Sequence, residues 1–131
     1  MVATQQLSLR FEGKCPNHHG MNELQSRHCR ACEGGAPALS EQEVCEYLKR
    51  VEGWTRSRDL PAIERSFRFQ SYPMVVGFAN AVAWMAEREN HHPILEIHYT
   101  HCVVRYYTHA IQGLSENDFI CAAKANALYE I

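Results

Sequence analysis

The sequence predicts an α+β sandwich: a four-stranded antiparallel sheet with helices on one face, in the order α-β-β-α-β-β-α. Two observations carry this: apolar residues recur at helical spacing in three separate stretches, and between them two stretches alternate apolar with polar, as half-buried strands do. Ser40 opens the first helix, because Ser40-x-x-Glu43 is a capping box and Val44, Tyr47, Leu48 and Val51 repeat at i, i+3, i+4, i+7. Gly53 stops it. From Trp54 the pattern alternates, with Ile63, Phe67 and Phe69 on one face, Glu64, Ser66, Arg68 and Gln70 on the other, and a turn near Pro61, which describes a β-hairpin.

A second helix begins near Pro73, since a proline suits a first helical turn, and carries the stripe Val75, Phe78, Ala79, Val82 and Met85 or Ala86. Pro93 drives His92 out of the α region, so this helix must finish by about His91. A second hairpin follows: Leu95, Ile97 and Tyr99 alternate against Glu96 and His98, then Val104 and Tyr106 against Val103, Arg105, Tyr107 and His109, so that His109 ends the last strand. Ser115-x-x-Asp118 opens a last helix through Phe119, Ala122, Ala123 and Leu128.

With 131 residues the chain supports about one domain. Its organisation reads as an irregular Cys/His-containing N-terminal arm, 1–38, followed by the folded unit, 39–131. A net charge of -2 without any Lys/Arg run argues against nucleic acid or an anionic membrane as a direct partner, leaving small molecules or other protein chains. No apolar run approaches the ~20 residues that span a bilayer, and "MVATQQLSLRFEGK" lacks the order of a secretory signal. The expected location is the cytoplasm, where the six cysteines read as free thiols or metal ligands. A small sheet also leaves an uncovered face and two edges, so a homo-oligomer is expected.

The chemistry concentrates in histidine. A cluster of neutral imidazoles can run acid and base steps without a cofactor, and His91, His92 and His109 are the candidates. The bland alternative is that polar residues simply end a helix, where a histidine gains a few tenths of a kcal/mol from the dipole. Glu87 lies one turn before His91 and either hydrogen-bonds it or is a solvated helix residue. Asp118 sits where a capping box wants an acid, which gives it a structural reading first. Trp54, Phe67 and Phe69 either wall a flat ring or fill the core, the commoner role at strand spacing.

Reading from Glu87, there are three residues, then His91-His92-Pro93, five residues, Tyr99, nine residues, His109, eight residues, and Asp118. This order and spacing resembles the signature of the pterin-4a-carbinolamine dehydratase family. "HCRACEGGAPALSEQEV", "GWT" and "THAIQGLSENDF" are similar to further stretches of such proteins, so the likeness runs from residue 29 to about 130. The resemblance implies sheets paired across a dimer, often tetramers, and loss of water from 4a-hydroxytetrahydropterin to give quinonoid dihydropterin, in tetrahydropterin recycling. It implies His91 and His109 as acid and base in an order left open, His92 holding the pterin, and Asn90 and Thr108 lining the pocket, their backbones available to the pyrimidine edge. Glu87 and Asp118 would support them, with no metal and no cofactor.

Two other functions compete. The same scaffold serves some relatives as a dimerisation cofactor or assembly chaperone, a role that does not require the histidine set, which is complete here. A metal hydrolase centre at the histidines is weaker, because no acidic ligand is forced beside them. In the arm, Cys15-x2-His18 followed ten residues later by Cys29-x2-Cys32 has zinc-site ligand types, with His19 or His28 as alternates. Reduced surface cysteines are the favoured reading, since the family likeness includes "CRAC" without the upstream "CPNHH".

Overall fold

A computed structural model describes residues 23–30 and 37–130. The elements are helix α1 (Glu41–Leu48), strands β1 (Thr55–Arg56) and β2 (Ile63–Arg68), helix α2 (Tyr72–Glu89), strands β3 (Ile94–Ile97) and β4 (His101–Tyr106), a 3₁₀ turn (His109–Ile111) and helix α3 (Glu116–Tyr129). The capping box at the start of α1 forms in both directions: Glu43 N–H donates to Ser40 Oγ at 3.1 Å, and Ser40 N–H to Glu43 Oε1 at 2.9 Å. α1 ends at Leu48, ahead of Gly53, and looser turns carry Val51 into the core before Gly53 reverses the chain at φ 87°.

The strands form one antiparallel sheet in the order β1-β2-β4-β3, so the two hairpins join through β2 and β4. Register places Ile63 opposite Tyr106, Arg65 opposite Val104 and Phe67 opposite Cys102 on the face that meets the helices. Tyr106, Phe67, Ile63 and Val104 are fully buried, and full burial of a side chain such as Phe67 contributes about 2–3 kcal/mol. On the opposite face Arg105 pairs with Glu64 at 2.7 Å and with Glu96. Alternation alone puts Arg65 on the apolar face, and the fold accommodates it: its guanidinium lies 4.6 Å from the Phe67 ring and donates to Asn126 Oδ1 at 2.7 Å and to Glu52 C=O at 2.9 Å. Trp54 donates to the same Asn126 Oδ1 at 2.8 Å, so Trp54 and Phe67 belong to the core, with Phe69 packed partly buried against it.

Helix α2 starts where Ser71 Oγ accepts Met74 N–H at 3.4 Å, and buries the expected stripe Val75, Phe78, Ala79, Val82 and Ala86. It stops at Glu89 by a Schellman turn: Asn90 takes φ 52°, its N–H reaches Glu87 C=O at 3.2 Å, and His91 N–H reaches Ala86 C=O at 3.1 Å. The last strand corrects one expectation. β4 ends at Tyr106, and His109 opens the 3₁₀ turn, because Thr108 pairs with Gly113 and closes a tight loop with Gln112 left-handed at φ 49°.

Residues 23–30 are stitched onto the domain. Residues 23–26 are helical and Leu24 is fully buried in the core. Cys29 N–H donates to Glu89 Oε1 at 2.7 Å, Arg30 exchanges two hydrogen bonds with the Asn117 amide, and Arg27 meets Glu116 at 2.5 Å. Burial would raise the Glu89 carboxyl, but Cys29 N–H, His28 and Lys124 outweigh it and hold the group below its ordinary range. Cys15, His18, His19 and Cys32 lie outside the described residues.

Glycine and asparagine occupy the left-handed position that ends α2 at least cost, and a β-branched residue at the greatest. Asn90→Val is expected to lower stability by about 1–2 kcal/mol, and Asn90→Gly to change it by no more than about 1 kcal/mol. Urea unfolding midpoints at unchanged slope check both.

Candidate active site

Three segments meet where α2 gives way to β3. Because β3 begins with Ile94 opposite Arg105, the residues before it face those that follow Tyr106. The Schellman turn and Pro93 together fix the exit direction, and His91 is laid flat on Tyr106, ring centroids 5.3 Å apart and planes 10° apart. Burial pushes the Tyr106 phenol up, with the Cys121 thiol adding to the effect, so this platform stays neutral.

Asp118 organises the rest. It is fully buried, at the N3 position of α3, with Oδ1 2.6 Å from His91 Nε2. Oδ2 accepts the Thr108 hydroxyl at 2.9 Å and Ser115 N–H at 2.9 Å. Thr108 Oγ1 also lies 2.7 Å from Ser115 Oγ. A carboxylate only accepts, so the neutral His91 ring carries its proton on Nε2 and leaves the lone pair on Nδ1. The capping acid thus keeps its structural role and gains a second one on its other oxygen.

Of its two expected readings Glu87 fits the solvated one, and its partner is not His91. Its Oε1 lies 3.1 Å from His92 Nε2, not from His91, because the left-handed Asn90 turns the chain before His91 can continue the helical face. Both side chains are well exposed, at 58% for His92 and 72% for Glu87, so the pair orients His92 and contributes little to stability. His109 is exposed, held by Gln112 Nε2 donating to its C=O at 2.9 Å, with its ring 4.2 Å from that of Tyr107. The Thr108 hydroxyl on Asp118 anchors the residue next to His109 on the carboxylate that holds His91. Thr108 N–H and C=O are both bonded to Gly113, at 2.9 and 3.4 Å, so its backbone is committed within the loop. Asn90 commits its N–H to ending α2.

Sequence reasoning passed over Tyr106 and Ser115. Tyr106 was legible only as an inward strand residue and Ser115 only as a helix cap; nothing local signals a ring platform or a second contact to Thr108. Among the described residues no group of three His, Cys, Asp or Glu side chains gathers to hold a metal ion, and no helix is long and apolar enough to cross a membrane.

A small antiparallel sheet backed by helices, with a histidine seated on a buried carboxylate at the end of the central helix, defines a compact α+β scaffold with a candidate acid/base site. Comparison with known proteins makes this specific. The family model described as pterin 4 alpha carbinolamine dehydratase matches residues 37–128, and the chain belongs to that family. It is 43% identical over 111 residues to a Nitrosospira multiformis protein provisionally named pterin-4-alpha-carbinolamine dehydratase, covering 85% of this chain and 96% of the relative. A Xanthomonas campestris protein of the same provisional name is 49% identical over 107 residues, covering 82% and 91%. A crystal structure of a transcriptional coactivator/pterin dehydratase from Brucella melitensis superposes with a TM-score of 0.66 at 35% identity, covering 70% of this chain and 97% of that one. Membership indicates pterin carbinolamine dehydratase activity.

Asp118→Asn replaces an acceptor with an amide that must satisfy two donors through one oxygen and present N–H to His91. The His91 ring is therefore expected to switch its proton from Nε2 to Nδ1, visible in ¹⁵N NMR, with stability lower by about 1–3 kcal/mol. An unchanged tautomer would overturn this assignment of the hydrogen bond.

Proposed function

We propose that the protein dehydrates 4a-hydroxytetrahydropterin to quinonoid dihydropterin, in the cytoplasm, as a step in tetrahydropterin recycling. The observation that carries this reading is the buried Asp118, which grips His91 through one oxygen and the Thr108–His109 segment through the other. The elimination breaks the C4a–O bond as the hydroxyl receives a proton, and N5 gives up its proton, so that water leaves. His91 and His109 serve as acid and base, the Asp118 carboxylate favouring His91 as an acceptor through Nδ1 and stabilising its charged form once protonated. His92, steadied by Glu87, orients the ring, and Asn90 lines its edge. Thr108 acts from beneath, through Asp118, because its own polar groups are already bonded.

The protein is also proposed to assemble into a homodimer or homotetramer with sheets paired across the dimer. Two surfaces support this: β3 is an edge strand with Ile94 and Ile97 exposed, and Tyr72, Val76 and Trp84 lie along one row of α2, Trp84 at 65% exposure. The Brucella melitensis protein is named a coactivator as well as a dehydratase. Such a scaffold role would use these surfaces without the histidines, so the two functions separate by mutation.

Following the decay of 4a-hydroxytetrahydropterin is expected to show acceleration over buffer, and His91→Ala or His109→Ala to slow it by about 10²-fold or more. The wild-type rate is expected to vary across roughly pH 5 to 9 as histidine acid/base pairs require. No acceleration over buffer would sink the enzyme reading, and a flat profile would sink the histidine mechanism. Light scattering on the purified protein is expected to give the mass of two or four chains, reduced by Trp84→Glu if the α2 row is an interface.

A further inference from the structure

The dehydration uses no sulfur, yet two free thiols meet behind the site. Cys29, in the segment preceding the folded unit, places Sγ 3.5 Å from Sγ of Cys121, in the second turn of α3. Each is held from its own side: Cys29 N–H is fixed on Glu89 Oε1 and Arg30 on the Asn117 amide, while Cys121 is fully buried in the core. The contact therefore follows from how residues 27–30 dock, not from a chance rotamer of an exposed side chain. The two sulfurs need approach by only about 1.5 Å to reach bonding distance.

We propose that Cys29 and Cys121 are a modification site for hydroperoxides, a dithiol that oxidises to an intramolecular disulfide and clamps the N-terminal segment to α3. Cys29, the partly exposed member, is the attacking sulfur and Cys121 the resolving one. The Cys29 thiolate attacks one oxygen of hydrogen peroxide, the O–O bond breaks, and the departing hydroxide takes a proton, so the products are a sulfenic acid and water; an organic hydroperoxide would release its alcohol instead. Cys121 sulfur then displaces the sulfenic hydroxyl, giving the disulfide and a second water. In sum two thiols and one hydrogen peroxide give one disulfide and two waters, the sulfurs losing two electrons and the peroxide oxygens gaining them. The hydrogen bond to Cys121, burial and the Glu89 carboxylate all push the Cys29 thiol up, so little thiolate is present at neutral pH and the first step is slow. The pair thus stays reduced through brief exposure and closes under sustained oxidant. Closure would tether residue 29 to the helix that carries Asp118, one turn beyond the carboxylate.

The test is peroxide treatment of the reduced full-length protein, quenching, alkylation in denaturant and non-reducing peptide mapping. Expected is a Cys29–Cys121 linked peptide, the loss of two alkylatable thiols and their return with dithiothreitol. Cys121→Ser should abolish the bridge and leave Cys29 trapped as a dimedone adduct, and Cys29→Ser should leave Cys121 fully alkylatable. The proposal fails if Cys29 bridges to another cysteine, Cys32 included. It also fails if both thiols survive sustained peroxide treatment continued until the exposed Cys45 is completely oxidised.

Discussion

A single buried carboxylate holds the site together. Asp118 has no solvent exposure, and its two oxygens are saturated by donors from three parts of the chain: His91 after α2, Thr108 after β4, and Ser115 at the start of its own helix. A buried carboxylate with unmet acceptors would be costly, so each partner is effectively required, and the requirement fixes where α2, β4 and α3 end relative to one another. The placement of His91 is a by-product of satisfying this charge.

The end of α2 shows the same economy. A helix that terminated by fraying would leave His91 pointing in many directions, whereas the left-handed Asn90 and the two Schellman hydrogen bonds give it one. Pro93 then commits the chain to extended backbone, and Tyr106 supplies a flat floor beneath the imidazole. Backbone conformation, more than side-chain contact, separates the half-buried His91 from the exposed His92 that follows it.

The segment 23–30 extends this logic beyond the sheet and helices. Its hydrogen bonds run to Glu89, at the end of α2, and to Asn117, the neighbour of Asp118. It therefore braces from outside the two helix ends that the carboxylate joins from inside. Leu24 anchors it in the core, and the Cys29–Cys121 contact lies where brace and helix touch.

Much of the fold was legible in the residues. Periodicity determined the three helices and two hairpins, the capping boxes placed the starts of α1 and α3, and Pro93 set the limit of α2, because each is a local rule of backbone and burial. The candidate histidines and Asp118 were also legible, by type and spacing. What only the tertiary structure decided was partnership. Glu87 stands one helical turn from His91 in sequence but meets His92, and Asp118 stands 27 residues from His91 but grips it. Arg65, placed on the apolar face by strict alternation, finds Asn126, 61 residues away, and the ring of Phe67. Spacing along a chain constrains neighbours within one helix or strand. Which buried acceptor meets which donor across elements depends on how their ends converge, and that is set by packing of the whole core.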